Sequence, residues 1–426
     1  MTAASGVAAR SDRRPVAGGC YDRSADTTFV TWAGRHEDNY VQAYDHQTRA
    51  WSAPVKVGDG GGDSHNYPTI VQAGDGHLLV FRGMHNEKLV MARSARPHST
   101  DGQWTEEVVA EGAGATYPMP LLTANGDIFV FVRETVRHLD PTTPTDLRPV
   151  KYVRSSDHGR TWQDTQRLTG DRWAIAPTDR ADNMNEIYIG QLRYQPAGRR
   201  RPERVHIVYT LAGGGPEGHL HDRYHRNVYY TVFTPADLRF SAADGTDLGT
   251  SVDDAAQERH LRIVKTPLAT LPANPAGHLV RSPDYIQLVG ALAGRTPFAV
   301  WMQTDTAGAL SDHAAVWTPL GWYVRRLGTG IRVRDMEPVG PFTWRIYTTV
   351  DGTAGIHTYL LRLGAWWRPG PVVPTARPVQ RVEVVTRYRD PARILATGAS
   401  SARDVAVCDG DIHAIGVTGL ATWGAG

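Results

Sequence analysis

The stretch HNYPTIVQAGDGHLLVFRGMHN, residues 65–86, has a counterpart about fifty residues further along the chain, TYPMPLLTANGDIFVFVRE, residues 116–134. Each stretch contains a Tyr-Pro pair, an apolar run, a turn that contains glycine, and a second apolar run. Short apolar runs joined by Gly-Asp-Gly or Asn-Gly are typical of two antiparallel strands that meet in a tight turn. The repeat therefore predicts two consecutive β-hairpins.

Less regular copies of this pattern continue along the chain, and helical periodicity is almost absent. The other matching segments lie at residues 27–52, 186–211, 227–233, 283–327, 337–367 and 382–415. A period near fifty residues with several short strands is typical of β-propeller blades. We therefore predict an all-β chain that forms a single seven-bladed β-propeller of four-stranded antiparallel blades over residues 1–426, with six or eight blades as alternatives. We expect a flexible segment over about residues 1–16 and an N-terminal strand that completes the last blade.

The segment SSDHGRTW, residues 155–162, fits the pattern Ser-x-Asp-x-Gly-x-Thr-Trp that is known as an Asp box. Asp157 and Gly159 are expected to build a β-turn between the outer strands of a blade, with Trp162 packed beneath it. The motif occurs in sialidases, in other glycan-active propellers and in proteins without an enzymatic role. We therefore interpret it as a folding element and assign it no catalytic function.

The composition argues against several classes of partner. The 46 Lys and Arg residues nearly balance the 44 Asp and Glu residues, whereas a nucleic-acid-binding surface would need a concentrated basic face. No apolar run reaches the length of a membrane span, and the N-terminal residues lack the apolar segment of a secretion signal. We therefore expect a monomer without nucleic-acid or membrane partners, cytoplasmic if the sequence is complete and secreted if a leader has been removed.

The two cysteines, Cys20 and Cys408, lie near opposite ends of the chain. Two thiols cannot build a disulfide framework or a thiolate metal cluster. A fold that closes on itself could bring them together, so the sequence leaves open whether they pair.

The spacing of His65 and His85 predicts that both side chains lie at one end of a hairpin. His65 precedes the first strand of the hairpin, and His85 follows the second. Because the strands of a hairpin are antiparallel, the start of the first and the end of the second lie at the same end. The same argument places Tyr117 before the next hairpin and Arg133 at its end. Two imidazoles, a phenol and a guanidinium are therefore expected at the same end of neighbouring blades.

This set of side chains is suited to proton transfer beside a carboxylate. An imidazole titrates near neutral pH and can accept or donate a proton, and a tyrosine can do so where a nearby cation lowers its pKa. An arginine binds a carboxylate through two parallel hydrogen bonds. The alternative for all four residues is a structural role as strand caps or packing residues. For Tyr67, which occupies the position of Tyr117 in the first repeat, a packing role is the default.

The order and spacing of His65, His85, Tyr117 and Arg133 within residues 63–134 resemble the seven-bladed polysaccharide lyases that act on rhamnose–uronate glycans. These BNR or Asp-box repeat proteins include ulvan lyases and the rhamnosyl-glucuronate lyases that act on gum arabic and arabinogalactan. The resemblance implies β-elimination, in which a base removes the C5 proton of a uronic acid, the C4–O bond breaks and a 4,5-unsaturated uronate remains.

The resemblance also implies a role for each of these residues. His85 and Tyr117 would be the acid/base pair, in either order. Arg133 would neutralise the C6 carboxylate, and His65 would support or share the proton transfer. No cofactor is expected for the chemistry itself.

Other polar residues are candidates for binding. Asn66 and Asn86 directly follow the two histidines and are candidate substrate-binding residues, as is Arg193, for which a structural ion pair is the alternative. His221 and His225 are candidate ligands of a structural zinc or calcium ion, since zinc accepts such nitrogen ligands and lyases of the resembled type carry a structural metal in a similar region. An ordinary polar loop is the alternative for these two histidines.

Two other functions stay as alternatives. A sialidase-like glycoside hydrolase would share the fold and the Asp box, but its arginine cluster and Arg-Ile-Pro motif are not found near the N terminus. Other glycoside hydrolases need paired carboxylates, for which Glu87 and Glu134 are the remaining candidates. A non-catalytic glycan-binding propeller would need only aromatic residues at its rim.

Overall fold

The computed structural model describes residues 1–8, 18–63, 65–82, 84–109, 114–137, 146–178, 180–199, 201–218, 221–268, 284–292, 296–304, 310–328, 332–340, 343–349, 353–362, 368–398 and 407–416. The prediction of an all-β chain is confirmed over these residues. Helix in this part of the chain is confined to α1 (Thr165–Thr169), α2 (Asp254–Ala256) and single turns at Arg35–Glu37, Gly215–Glu217 and Gln257–Leu261.

Strands make up most of the described chain. Up to residue 137 they are β1 (Thr2–Ala8), β2 (Gly19–Asp22), β3 (Thr27–Ala33), β4 (Asn39–Asp45), β5 (Ala50–Trp51), β6 (Val55–Gly58), β7 (Thr69–Gln72), β8 (Leu78–Phe81), β9 (His85–Glu87), β10 (Leu89–Arg93), β11 (Thr105–Val109), β12 (Ala115–Leu122), β13 (Ile128–Glu134) and β14 (Val136–Arg137). From residue 146 to residue 264 they are β15 (Asp146–Leu147), β16 (Val150–Ser155), β17 (Gln163–Asp164), β18 (Glu186–Gln195), β19 (Arg204–Gly213), β20 (Tyr224–Thr234), β21 (Arg239–Ser241), β22 (Asp247–Gly249) and β23 (Arg262–Val264). From residue 284 they are β24 (Asp284–Leu292), β25 (Thr296–Thr304), β26 (Leu310–Thr318), β27 (Gly321–Gly328), β28 (Val333–Gly340), β29 (Thr343–Thr348), β30 (Ala354–Arg362), β31 (Arg368–Arg389), β32 (Ala392–Gly398) and β33 (Gly410–Ile415).

The chain divides into two compact units. The first comprises residues 1–132, 153–163 and 345–426, and the second comprises residues 133–152 and 164–344. A single domain over residues 1–426 stays a prediction.

The first unit contains both hairpins that the repeat predicts. β7 pairs antiparallel with β8, which continues through β10 to β11 in a four-stranded sheet. β12 and β13 are neighbours in a five-stranded sheet of order β9-β12-β13-β16-β17. The turns of the two hairpins place Gly76 and Gly126 at φ values of 85° and 93°. Glycine adopts this left-handed conformation without steric cost, which explains its recurrence at this point of the repeat.

Both faces of the predicted strands are buried. Leu79 and Phe81 on one face of β8 join Ile128 and Val130 of β13 in one core cluster. Leu78 and Val80, on the opposite face of β8, belong to a second cluster. A strand that is buried on both faces needs apolar residues at consecutive positions. The continuous apolar runs of the sequence follow from this requirement.

The N-terminal residues form a strand in the first unit. β1 pairs antiparallel with β33, with Thr2 opposite His413, and β33 continues through β32 to β31. Ser5 Oγ and the Gly6 N–H both donate to Asp411, at 2.7 and 3.0 Å. An N-terminal strand therefore completes the sheet of the last strands, as expected. Residues 2–8 are this paired strand rather than part of the flexible segment expected over about residues 1–16.

The Asp box folds as predicted. The Asp157 carboxylate accepts hydrogen bonds from the Thr161 hydroxyl at 2.6 Å, the Thr161 N–H at 2.9 Å and the Arg160 N–H at 3.1 Å. The Ser155 hydroxyl donates to the same carboxylate at 2.7 Å. The Trp162 ring packs edge-on against Phe81 with ring centroids 5.8 Å apart. Every one of these contacts organises the turn or its packing, in line with a folding element.

The second unit is also built from antiparallel sheets. β18, β19, β20, β21 and β22 follow one another in a six-stranded sheet whose remaining strand, β23, pairs with β20. β24 to β27 form a four-stranded sheet in chain order. Val208, Tyr230 and Trp301 belong to one buried cluster of this unit.

The two cysteines differ in their exposure to solvent. Cys20 is buried, Cys408 is partly exposed, and both are free thiols. Burial raises the pKa of Cys20 to about 12, which keeps this thiol protonated at neutral pH.

Within the described residues, the helices are too short and too polar to cross a membrane.

Replacing Asp157 by Ala is expected to lower the free energy of unfolding by about 1.5–3 kcal/mol, because the carboxylate accepts several charge-assisted hydrogen bonds. Urea denaturation measures this difference, with the exposed Asp101→Ala as the matched control. Burial alone would raise the pKa of Asp157, but its hydrogen bonds outweigh burial and lower the pKa from 3.8 to about 2. The stabilisation is therefore complete above about pH 4 and is lost as the pH falls toward 2. Equal unfolding midpoints for the two variants would contradict this assignment.

Candidate active site

One carboxylate joins the two histidines of the first hairpin. The Asp63 carboxylate bonds to His65 Nδ1 through one oxygen, and its other oxygen lies 2.9 Å from His85 Nδ1. The His65 backbone N–H also donates to Asp63, at 2.9 Å. The two imidazole rings stack with their centroids 4.0 Å apart and their planes 22° apart. The structure therefore brings His65 and His85 together, and Asp63 holds them there.

The charge of Asp63 determines which ring nitrogens carry protons. Burial alone would raise the pKa of this carboxyl, but hydrogen bonds from the His65 N–H and from both imidazoles lower it to about 2. An ionised carboxylate can only accept hydrogen bonds. Both Nδ1 atoms must therefore carry the donated proton, and in each neutral imidazole Nε2 is the basic nitrogen. The imidazoles of His65 and His85 are 21% and 26% exposed, so a ligand can reach them from solvent.

Asn66 holds the loop that carries Asp63 and His65. Its side-chain amide donates to the Gly60 carbonyl, and its backbone N–H donates to the Asp63 carbonyl at 2.9 Å. Its own carbonyl accepts a hydrogen bond from the Asn39 side chain at 3.2 Å. Asn66 is only 5% exposed. The structure thus gives Asn66 a structural role in this loop, and its contact with substrate stays a prediction.

His85 reaches Asp63 from a strand that belongs to the next sheet. β9 leaves the first hairpin and pairs with β12, with Glu87 opposite Ala115 and His85 opposite Thr116. Asn86 is the extra residue between these pairs, so β9 contains a bulge. Bulges are frequent where a strand must re-aim a side chain at a functional site. The bulge explains how β9 can pair with β12 and still direct His85 at Asp63.

Asn86 and Thr116 lock this bulge. Asn86 has a φ of 59°, in the left-handed region that asparagine enters more easily than most residues. Its N–H donates to Thr116 Oγ1 at 2.9 Å, and the Thr116 hydroxyl donates to Asn86 Oδ1 at 3.3 Å. These bonds give Asn86 a structural role besides the substrate contact predicted from the sequence.

Tyr117 lies beside the histidines and has a strained backbone. Its ring centroid is 6.0 Å from that of His65 and 6.4 Å from that of Tyr67, whose plane is nearly parallel to it. Its φ is 59°, an unfavourable value for a bulky residue. Strained backbone of this kind is concentrated at functional sites, where the surroundings impose it. Tyr67 is 3% exposed and serves as a packing partner, as the sequence predicts.

Arg133, near the end of β13, is part of the second unit and is buried there. Arg133 is 2% exposed, and its guanidinium carbon lies 4.4 Å from the centre of the Tyr188 ring. Tyr188 also contacts His225, with ring centroids 5.0 Å apart. A cation over an aromatic face is held by the negative charge of that face. The Tyr188 ring therefore helps to hold the guanidinium in place.

His221 and His225 each face a carboxylate in the second unit. His221 Nδ1 lies 2.7 Å from Glu186, whereas His225 Nε2 lies 2.8 Å from Asp222. In the part of the chain that the structure describes, the group of three potential metal ligands with donor atoms within 4.8 Å of one another is Asp63, His65 and His85. A metal ion at His221 and His225 stays a prediction, and Asp63, His65 and His85 are a further candidate cluster.

Arg193 and Glu134 both have structural partners in the second unit. The Arg193 guanidinium donates to the buried Asp335 and to the Met336 carbonyl, each at 2.9 Å, which is the ion pair left as its alternative. Glu134 accepts hydrogen bonds from Lys151 at 3.2 Å and from the Trp173 indole at 2.6 Å. These structural contacts of Glu134 argue against a role as one of two catalytic carboxylates.

Sequence reasoning missed Asp63 and Thr116. The signal for Asp63 was its place two residues before His65, from which an aspartate can bond the following backbone N–H. Nothing in the sequence marks Thr116 as the partner of Asn86, since the two residues meet only through the pairing of β9 with β12.

Comparisons of the sequence and of the structure both find similarity to ulvan lyases. The profile described as "BNR repeat-containing family member" matches residues 27–329. The ulvan lyase PL25 of Pseudoalteromonas sp. (strain PLSV) is 24% identical over 250 residues, which are 52% of this chain and 47% of that protein. The ulvan lyase of Alteromonas sp. (strain LOR) is 24% identical over 268 residues, 56% of this chain and 51% of that protein. The chain thus spans about half the length of the curated relatives it matches.

Two solved structures of a PL25 ulvan lyase share the fold. One aligns with a TM-score of 0.73 at 18% identity over 97% of this chain and 95% of the other. The second, described as bound to -[GlcA(1-4)Rha3S]-, aligns with the same TM-score at 17% identity and the same coverage.

We expect the neutral imidazoles of His65 and His85 both to carry their proton on Nδ1, because the Asp63 carboxylate accepts a hydrogen bond there. Long-range ¹H–¹⁵N NMR spectra of the two rings report this tautomer directly. In Asp63→Ala the acceptor is gone, so at least one ring should move its proton to Nε2. Asp59→Ala is the matched control, because Asp59 pairs with Lys56 instead and should leave both rings unchanged. Nε2 protonation of both rings in the unsubstituted protein would contradict the arrangement.

Proposed function

Because the chain belongs to the BNR repeat-containing family and brings two imidazoles and a phenol together in one unit, we propose that it is a polysaccharide lyase. It cleaves the bond to C4 of a uronic acid by β-elimination. The proposed linkage is rhamnose-α-1,4-glucuronate, as in ulvan, gum arabic or arabinogalactan. The observation that carries this proposal is the pair of imidazoles that Asp63 holds with Nε2 as the basic nitrogen.

The relatives support both the activity and the class of substrate. The sequence matches are ulvan lyases, and one structure with the same fold is described as bound to a glucuronate–rhamnose glycan. We further propose that the antiparallel sheets are blades of a seven-bladed propeller. Sheets of four strands, such as β7, β8, β10 and β11 or β24 to β27, support this proposal.

The proposed reaction transfers one proton in each direction. A base takes the proton from C5, its electron pair forms the C4–C5 double bond, and the C4–O bond breaks. The departing sugar oxygen takes a proton from the acid. We assign these two roles to His85 and Tyr117, and the order depends on whether the proton and the leaving group are syn or anti. His65 shares Asp63 with His85 and supports the proton transfer.

Arg133 is proposed to neutralise the C6 carboxylate of the uronic acid. Removing a C5 proton places negative charge on that carboxylate, and a cation fixed in advance stabilises this charge without reorganisation. Its burial and its contact with the Tyr188 ring support the role, because both limit the movement of the guanidinium. A guanidinium shielded from water also interacts more strongly with a charge brought next to it.

We expect ultraviolet absorbance to grow when the protein is incubated with ulvan or gum arabic, because the 4,5-unsaturated uronate is conjugated. His85→Ala should slow this growth by about 10²- to 10⁴-fold, the usual effect of removing a general acid or base. His98→Ala is the matched control, since His98 also bonds a carboxylate, that of Asp22. It should retain full activity.

Other outcomes of the same assay would refute the proposal. New reducing ends without absorbance, on these polymers or on sialosides, would indicate a hydrolase. Neither signal on any of the three substrates, together with measurable glycan binding, would indicate a binding module.

Arg133→Ala is expected to lower kcat on the order of 100-fold or more, because the developing charge loses its fixed cation. Arg133→Lys keeps the charge but not the planar stacking, so its loss should be smaller. The exposed Arg96→Ala is the control for a general loss of positive charge. Melting temperatures of all variants separate a catalytic effect from a loss of packing around Tyr188. A kcat near that of the unsubstituted protein for Arg133→Ala would remove this residue from the role.

A further inference from the structure

We propose that Asp63, His65 and His85 also bind a divalent transition-metal ion of the Zn²⁺ class, and that the bound ion blocks the site. The binding itself is independent of the proposed lyase activity. Only the blocking rests on that function.

The geometry already provides three convergent ligands. One donor atom from each of the three residues lies within 4.8 Å of the other two. Both Nδ1 atoms face the same carboxylate, one at each oxygen. The Asp63 side chain is 39% exposed, so the cluster opens to solvent. An ion can therefore enter without unfolding the loop that Asn66 holds.

The donor types select the class of ion. Zn²⁺ accepts imidazole nitrogen at about 2.0–2.1 Å and carboxylate oxygen at about 2.0–2.2 Å. Ca²⁺ and Mg²⁺ instead prefer oxygen ligands at six or more positions. Two nitrogens and one oxygen leave the fourth tetrahedral position for water, as in zinc sites that have three protein ligands. The cluster should therefore bind zinc in strong preference to calcium.

The ion would change the tautomer of both imidazoles. A neutral imidazole that coordinates through Nδ1 must carry its proton on Nε2. The nitrogen that serves as a base in the unbound site then becomes a donor and can no longer accept a proton from C5. Blocking therefore follows from the coordination itself.

Other histidine–carboxylate pairs in the described chain provide the comparison. His98 with Asp22 and His221 with Glu186 each combine one imidazole with one carboxylate, at 2.6 and 2.7 Å. A single imidazole with a single carboxylate supplies only two ligands. These pairs therefore test whether zinc binding needs the second imidazole.

Titration of the whole chain with ZnCl₂, followed by calorimetry, tests the binding. We expect one ion per chain, with affinity lost in His65→Ala and His85→Ala and lowered about 10- to 100-fold in Asp63→Asn. His98→Ala and His221→Ala should bind as the unsubstituted protein does, and CaCl₂ should not compete. His65→Gln and circular dichroism of each variant show that a loss of binding does not reflect unfolding.

The outcomes separate this inference from the proposed function. Absence of zinc binding, unchanged binding in His65→Ala and His85→Ala, or binding that is lost in His221→Ala would overturn the site. Stoichiometric zinc should abolish the growth of ultraviolet absorbance, and a chelator should restore it. Full activity at saturating zinc would overturn the blocking. Zinc binding without lyase activity on any glycan would leave the site standing and refute the function.

Discussion

The site depends on one carboxylate that two imidazoles share. Asp63 bonds Nδ1 of His65 and Nδ1 of His85, and the two rings stack on each other. The low pKa of the carboxyl and the tautomers of the two rings are consequences of the same contact. A single charged group thus sets the position and the protonation of two side chains, which is why the cluster is suited both to proton transfer and to binding a cation.

The hairpins and the meeting of the two histidines could be predicted because both rest on local rules. Antiparallel strands return to the end where they began, and the tight turns need glycine at Gly76 and Gly126. The Asp box has the same local character, since the hydrogen bonds of the Asp157 carboxylate that build the turn come from Ser155, Arg160 and Thr161. The N-terminal strand was only partly predicted, because TAASGVA lacks the alternation of apolar residues by which strands are recognised.

The rest of the site depends on partners that are distant in sequence. The bulge at Asn86 exists because β9 pairs with β12, and neither strand alone indicates that pairing. Arg193 meets Asp335 across about 140 residues, so its ion pair remained one of two alternatives. Residue type and spacing therefore indicate which side chains can act, whereas tertiary contacts decide which of them are already engaged, as Asn66, Arg193 and His221 are.

The two residue pairs that join β9 to β12 connect one hairpin to the next. Each hairpin has its own turn, but the backbone that carries His85 is positioned where Glu87 faces Ala115 and His85 faces Thr116. Successive side chains of a strand point to opposite sides. A shift of the β9–β12 register by a single residue would turn His85 away from Asp63 and present Asn86 to it. An amide would then replace an imidazole without any change in sequence. The chemistry of the site is thus encoded in an alignment of two strands as much as in the identity of its residues.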